Sequence, residues 1–314
     1  MVDGAAISVP DLVREACAWV AARARSVSIE ESEISAYAAS LPGAADLPPL
    51  DPATHLVEVD REAGATFVIC LDAINFGSGW WPTIRKRPGQ SGYSTIAAGL
   101  TERFRAEGVW PAAELSRLTA AEIARVVDQD AGHPLMSQYA AALRDVGRRV
   151  LADHGGRFEA VIAAAAGSAV ALAGLLAGWD AFADVSTYEE RPVPFFKRAQ
   201  IAAADLNRAG VAQLRGEDRL TAFADNLVPH VLRIDGVLRL DPSLEDAIDG
   251  GELLAHGSAE EVELRACAVH AIELLAAAGG GRLCPAEIDA ALWNRGREQR
   301  YKSIPRPRSR NTAY

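Results

Sequence analysis

Apolar residues recur every three or four positions along most of this chain, and that spacing restricts what it can fold into. The first instance is Pro10-Asp-Leu-Val-Arg-Glu-Ala-Cys-Ala-Trp-Val-Ala-Ala-Arg-Ala. The pattern returns over Ile29 to Ala39, Leu135 to His154, Phe195 to Asn207, Phe223 to Val231, Ala259 to Ala278 and Pro285 to Arg297. Side chains so spaced share one face of a helix, and burying those faces calls for helix packed on helix. Thr119 and Glu122 form a capping-box signature ahead of Ile123. Leu41 to Pro52, rich in proline and small residues, reads as a loop, and Thr66 to Leu71 is the best strand candidate. The expected fold is therefore mainly α with at most a few short strands. We read it as one domain over 1–314, with N-terminal helices within 1–45 packed on it and a basic tail over 303–314.

With 314 residues, 49% of them hydrophobic, the chain has ample material for a buried core. A formal charge of -10 repels polyanions over most of the surface, which argues against tRNA or DNA as a partner and allows a small free nucleotide. Cys17, Cys70, Cys267 and Cys284 stand far apart in apolar surroundings, with no CxxC or zinc spacing. They read as reduced core thiols of a cytoplasmic protein. The six histidines show neither HxH nor HExxH, so no metal and no cofactor is expected. Met1 to Pro10 lacks the basic and apolar segments of a secretory leader. The uncharged run Ala160 to Trp179 has the length of a membrane span, but it is alanine and glycine rather than leucine and is flanked by Glu159, Asp180 and Asp184. A core helix buried on all sides, in a monomer without membrane contact, is the expectation.

Chemistry concentrates in a few runs where rings alternate with carboxylates, amides and cations. Leu71 to Trp80 offers Asp72, Asn75 and Phe76 beside Gly77 and Gly79, whose spacing is no dinucleotide fingerprint. Phe195 to Gln200 places Phe196 beside Lys197 and Arg198. Leu220 to Leu232 sets Asp225 among apolar neighbours, near Phe223 and one turn before Pro229, and Ile288 to Asn294 supplies Asp289, Trp293 and Asn294. Rings with hydrogen-bonding acceptors suit a flat heterocyclic base, and a lysine suits an anionic group attached to it. A desolvated carboxylate is costly, and a cation developing nearby offsets that cost, as when an N-glycosidic bond breaks and the sugar becomes oxocarbenium-like. Asp225 is equally open to a plainer use, as a helix cap or as the buried partner of Lys197 or Arg198. Glu261 and Arg265, four apart, suggest an internal ion pair, and Glu263 reads as structural too. His55, in the loop after Asp51, is a candidate polar contact to substrate. Arg306, Arg308 and Arg310 concentrate charge in a tail that is either frayed or folded back as an anion ligand.

In these same residues the chain resembles the queuosine salvage protein family, queuosine 5′-monophosphate N-glycosylases that release the base queuine. The resemblance rests on LDAINFGSGWWP from Leu71, FFKRAQI from Phe195, LTAFADNLVPHVL from Leu220, EVELRACAVHAIELL from Glu261, IDAALWN from Ile288 and the basic tail through Tyr314. It covers roughly Asp51 to Tyr314 and departs from the family pattern at Ala313, where an aromatic is expected. It implies a helical fold similar to helix-hairpin-helix DNA glycosylases, with Asp225 as the essential carboxylate at the sugar and Lys197 its neighbour. The base would lie among Phe76, Phe223 and Trp293, with Asp72, Asn75, Asp289 and Asn294 as polar contacts, and His55 and Phe196 would touch the substrate as well. The phosphate would meet Lys197, Arg308 and Arg310. The alternative from another class is a carrier that binds a modified base or nucleoside without cleaving it.

Overall fold

The computed structural model describes residues 7–314; most of the stretch read for a leader, Met1 to Pro10, lies outside them. The fold is mainly helical, with short strands confined to two two-stranded sheets among the described residues. The chain divides into two compact units: the described part of Met1–Leu47 with Asp184–Lys197 and Asp218–Ser309, and Pro48–Ala183 with Arg198–Glu217 and Arg310–Tyr314.

The first unit is built around the helix Ala259–Ala278, which matches its expected bounds. Helices Val9–Ala21, Glu31–Ser40, Leu227–Ile234 and Pro285–Arg295 pack against it. Every residue from Glu261 to Val269 is buried, so this helix sits in the core and includes charges that need partners. Glu263 meets that need structurally. Its Oε2 accepts from the backbone N–H groups of Arg25, Ser26 and Val27 at 3.0, 2.7 and 3.2 Å, and its Oε1 from the Tyr188 hydroxyl at 2.7 Å. Those bonds fix the start of the strand Val27–Ile29, which pairs antiparallel with Leu238–Leu240. A second antiparallel pair, Val185–Tyr188 with Arg191–Pro194, turns through Glu189 and Glu190 at φ 44° and 62°.

The second unit centres on the helix Pro134–His154, against which Arg61–Ala73, Ala112–Leu115 and Ala120–Val126 pack. Gly147 permits one of these approaches, since a Cβ there would lie 2.4 Å from the backbone nitrogen of Ser116. The Thr119–Glu122 capping box is present. Thr66 to Leu71 is not a strand: it lies inside the helix Arg61–Ala73, whose first turn Asp60 caps through the Ala63 N–H at 2.9 Å. All residues from Gly64 to Ala73 are buried, and a helix apolar on all sides has no periodic signature to separate it from a buried strand. Ala160 to Trp179 also differs from expectation. It forms two helices, Phe158–Ala164 and Ala169–Ala177, separated at Gly167 with φ 76°, and Ala163, Ala164, Ala171 and Gly174 face solvent. No helix among the described residues is long and apolar enough to cross a membrane. The cysteines are free thiols, and burial pushes Cys267 up to about 12 and Cys284 up to about 11.

Candidate active site

Asp225 lies at the end of a segment, Leu220 to Asp225, that has no regular secondary structure. The helix expected from Phe223 begins only at Leu227. Pro229 accounts for the late start. In the first turn its missing N–H costs nothing, whereas a helix begun at Phe223 would put it where a backbone donor is required. The loop is nonetheless held at four successive residues. Asp289 Oδ1 accepts from the Phe223 N–H at 2.9 Å, Arg265 Nε donates to the Ala224 carbonyl at 3.0 Å, and Asn226 Nδ2 donates to the Pro307 carbonyl at 2.9 Å. Asp225 fixes itself: Oδ1 accepts from the N–H groups of Leu227 and Val228 at 2.8 and 2.9 Å, capping the helix. All of its hydrogen bonds among the described residues go through that one oxygen. Oδ2 makes no hydrogen bond among the described residues, and the side chain is half-buried.

Lys197 is anchored in a similar way. Asp184 accepts from the N–H groups of Phe195 and Phe196 through its carbonyl at 2.9 and 3.3 Å, and from the Lys197 N–H through Oδ2 at 3.1 Å. Phe196 adopts φ 47°, a left-handed conformation that costs a bulky residue about 1 kcal/mol or more and persists only when its surroundings impose it. The Lys197 side chain is buried. Arg265, expected to pair with Glu261, carries its two terminal nitrogens to Asp184 at 3.0 and 2.7 Å.

The tail residues 303–309 are folded into this unit. Arg233 donates to the Pro305 carbonyl at 3.0 Å, Asn226 to that of Pro307, and the Leu254 N–H to that of Arg308 at 2.8 Å. Arg306 and Arg308 are consequently half-buried. Burial, then repulsion from Arg308, pulls the Arg306 guanidinium below its usual range, while the Asp225 charge works in the opposite direction. Arg306 thus feels the charges of both Arg308 and Asp225, and two cations that share a carboxylate's field are a chemistry suited to an anion. Arg306 was visible in the sequence only as one of three tail arginines. Asp184 appeared there only as a charge flanking an apolar run.

The other candidates in this unit line up less directly. Phe223 is buried and Trp293 half-buried, with the Arg297 guanidinium 5.3 Å from the Trp293 ring centre. Asn294 Nδ2 donates to the Ala290 carbonyl of its own helix at 2.8 Å. His55, Asp72, Asn75, Phe76 and Arg310 belong to the second unit. There Asp72 is fully buried at the end of Arg61–Ala73, with Asn75 Nδ2 3.5 Å from its Oδ1. Phe76 packs edge-on to Tyr139 at 5.0 Å, beneath the Arg198 guanidinium, also at 5.0 Å. The buried His55 ring has Nδ1 3.0 Å from Thr54 Oγ1, and burial lowers its pKa. Arg310 is exposed. An open polar hollow of about 580 Å³ in the second unit is lined by Thr83, Arg85, Gln129, Asp130 and His133, none of which the sequence singled out.

Comparison with known proteins bears on this arrangement. Residues 55–314 match the family model described as queuosine salvage protein. Three relatives carry the name queuosine 5′-phosphate N-glycosylase/hydrolase. The protein from Sphaerobacter thermophilus is 36% identical over 81% of this chain and 82% of its own length. Those from Dictyostelium discoideum and Bos taurus are each 27% identical, over 96% and 93% of this chain and 98% and 95% of their own. The matched region contains the Asp225 loop, the Lys197 turn and the folded arginine tail, and the chain belongs to the queuosine salvage protein family.

Proposed function

We propose that this chain is an N-glycosylase that hydrolyses queuosine 5′-phosphate to queuine and ribose 5-phosphate. The observation that carries the reading is the division of labour within one carboxylate: Asp225 Oδ1 is held by two backbone N–H groups, and Oδ2 makes no hydrogen bond among the described residues. As the bond from C1′ to the base nitrogen breaks, its electron pair leaves with the base and positive charge spreads over C1′ and the ring oxygen. A fixed anion there stabilises that charge without having to reorganise. Water then adds its oxygen to C1′, and the proton it gives up balances the one taken up by the base that left with the electron pair, completing hydrolysis. Queuine is a 7-deazaguanine, so it lacks the ring nitrogen at which a purine leaving group is usually protonated, and more of the barrier falls on stabilising the sugar cation. Phe223, Trp293 and Asp289 supply rings and a carboxylate from the same unit as Asp225. His55, Asp72, Asn75, Phe76, Phe196, Asn294 and Arg310 remain candidate contacts, each open to test by substitution.

Incubation with queuosine 5′-phosphate tests the reading. Free queuine and ribose 5-phosphate in the mass spectrum are expected. Intact nucleotide returned after denaturation would instead make the protein a carrier.

Arg306 and Arg308 are assigned to the phosphate on the charge balance described above. Arg306→Ala and Arg308→Ala should each raise KM for the nucleotide about 10- to 100-fold, the worth of one charge-assisted hydrogen bond. Cleavage of the unphosphorylated nucleoside should be almost unchanged. Equal losses on both substrates would remove the assignment.

A further inference from the structure

The geometry points to Asp184 and Arg265 as a positioning pair that holds the Asp225 loop and the Lys197 turn in one register, an inference that rests on the hydrolase reading above. Both side chains are 1% exposed, and they meet through two bonds of 3.0 and 2.7 Å. Stability is a poor reason to keep such a pair. The desolvation of two buried charges roughly cancels their attraction, and well-packed apolar replacements of similar volume are often as stable or more so. The distinguishing feature is where the rest of their bonding capacity goes. Arg265 Nε donates to the carbonyl of Ala224, the residue immediately before Asp225. The Asp184 carboxylate accepts the Lys197 N–H through Oδ2 at 3.1 Å, next to the left-handed Phe196, whose own N–H and that of Phe195 go to the Asp184 backbone carbonyl. The Arg265 guanidinium also lies over the Phe195 ring, 3.9 Å from its centre. One ion pair therefore ties the backbone beside Asp225 to the backbone that carries Lys197, both within the first unit. Neither residue needs to touch substrate. They act through Asp225, whose Oδ2 must meet C1′ closely, and a displacement near 1 Å costs about 10²-fold in rate.

Two variants test the pair. Arg265→Lys keeps the charge but has one nitrogen where three bonds are made. The double replacement Asp184→Leu with Arg265→Met removes both charges at similar volume. Each is assayed for turnover of queuosine 5′-phosphate and for queuine affinity. The expected result is kcat lowered about 100-fold with the queuine Kd within about threefold of wild type, since only placement of the carboxylate is disturbed. Turnover within threefold of wild type in a variant that binds queuine normally overturns the inference and leaves the hydrolase reading intact. Loss of queuine binding together with turnover in both variants assigns the pair to holding the fold, and also overturns it. A wild-type protein that binds queuine but releases none from the nucleotide takes down the hydrolase reading itself.

Discussion

Asp225→Asn should lower turnover of queuosine 5′-phosphate about 10³-fold or more while changing stability by less than about 1 kcal/mol. Asparagine can place its Oδ1 where Asp225 Oδ1 accepts the Leu227 and Val228 N–H groups at 2.8 and 2.9 Å, so the cap is retained. It puts a neutral amide where Oδ2 stood, so the anion proposed to face the sugar is lost. Asp225→Ala removes both and should cost about 1 kcal/mol in the cap, yet reduce turnover hardly further than asparagine does. Queuine affinity should remain measurable in both. The two substitutions thus separate the plain use of this residue, capping Leu227–Ile234, from the chemical one. Urea denaturation and single-turnover assays on the pair decide it: an asparagine variant within tenfold of wild-type rate would leave Asp225 as a cap and nothing more.

The sequence announced helices where length or charge marked them and failed where a shorter buried stretch offered neither. Ala259–Ala278 was readable end to end, although Glu261 to Val269 are all buried, because its 20 residues exceed an ordinary strand and Glu260, Glu261, Glu263 and Arg265 interrupt the apolar run. The buried Gly64 to Ala73 stretch of Arg61–Ala73 has no polar face and passed for a strand. Phe223 to Val231 shows a different limit. Its composition suits a helix, and Pro229 signalled an interruption, but whether a proline kinks a helix or fixes where it starts depends on where the chain's other bonds go. Here bonds from Asp289, Arg265 and Asn226 hold the preceding residues out of the helix. Asp225 was visible because a lone carboxylate in an apolar run demands an explanation. Asp184 and Arg265 are 81 positions apart, and no local pattern predicts that pairing. The tail illustrates the same limit: arginines interleaved with prolines look like a frayed end until Arg233, Asn226 and Leu254 are seen to bond its carbonyls.

Acid should destabilise the fold through His230 in particular. Its side chain is fully buried in Leu227–Ile234, with Nε2 2.9 Å from the Tyr301 carbonyl, an arrangement that makes Nε2 the protonated nitrogen and leaves Nδ1 without a hydrogen-bonding partner among the described residues. A second proton would go to Nδ1, where none of those residues offers an acceptor. Burial is the main cause that lowers this histidine to about 4; Arg233 and Arg306 add repulsion, while the Tyr301 carbonyl and Asp249 pull the other way. An unfolded histidine titrates near 6.5. Above that value both states are neutral and His230 contributes no pH dependence. As the pH falls from about 6.5 toward 4, the unfolded chain takes up a proton that the folded one refuses, and stability drains away through that window. Each pH unit of separation is worth about 1.4 kcal/mol, so the wild type should lose about 2 to 3 kcal/mol from this group between pH 7 and 4.5. His230→Gln, which can still donate to Tyr301 but does not titrate, should lose correspondingly less over the same interval. Urea unfolding of both proteins at the two pH values measures the difference, and parallel losses would show that the ring is protonated without penalty inside the folded chain. The consequence reaches the active-site loop, because the helix that carries His230 is the one whose first turn Asp225 caps. Acid that loosens this helix also loosens the two N–H groups that hold the carboxylate, so activity should fall in the same pH window and the glutamine variant should resist that part of the loss.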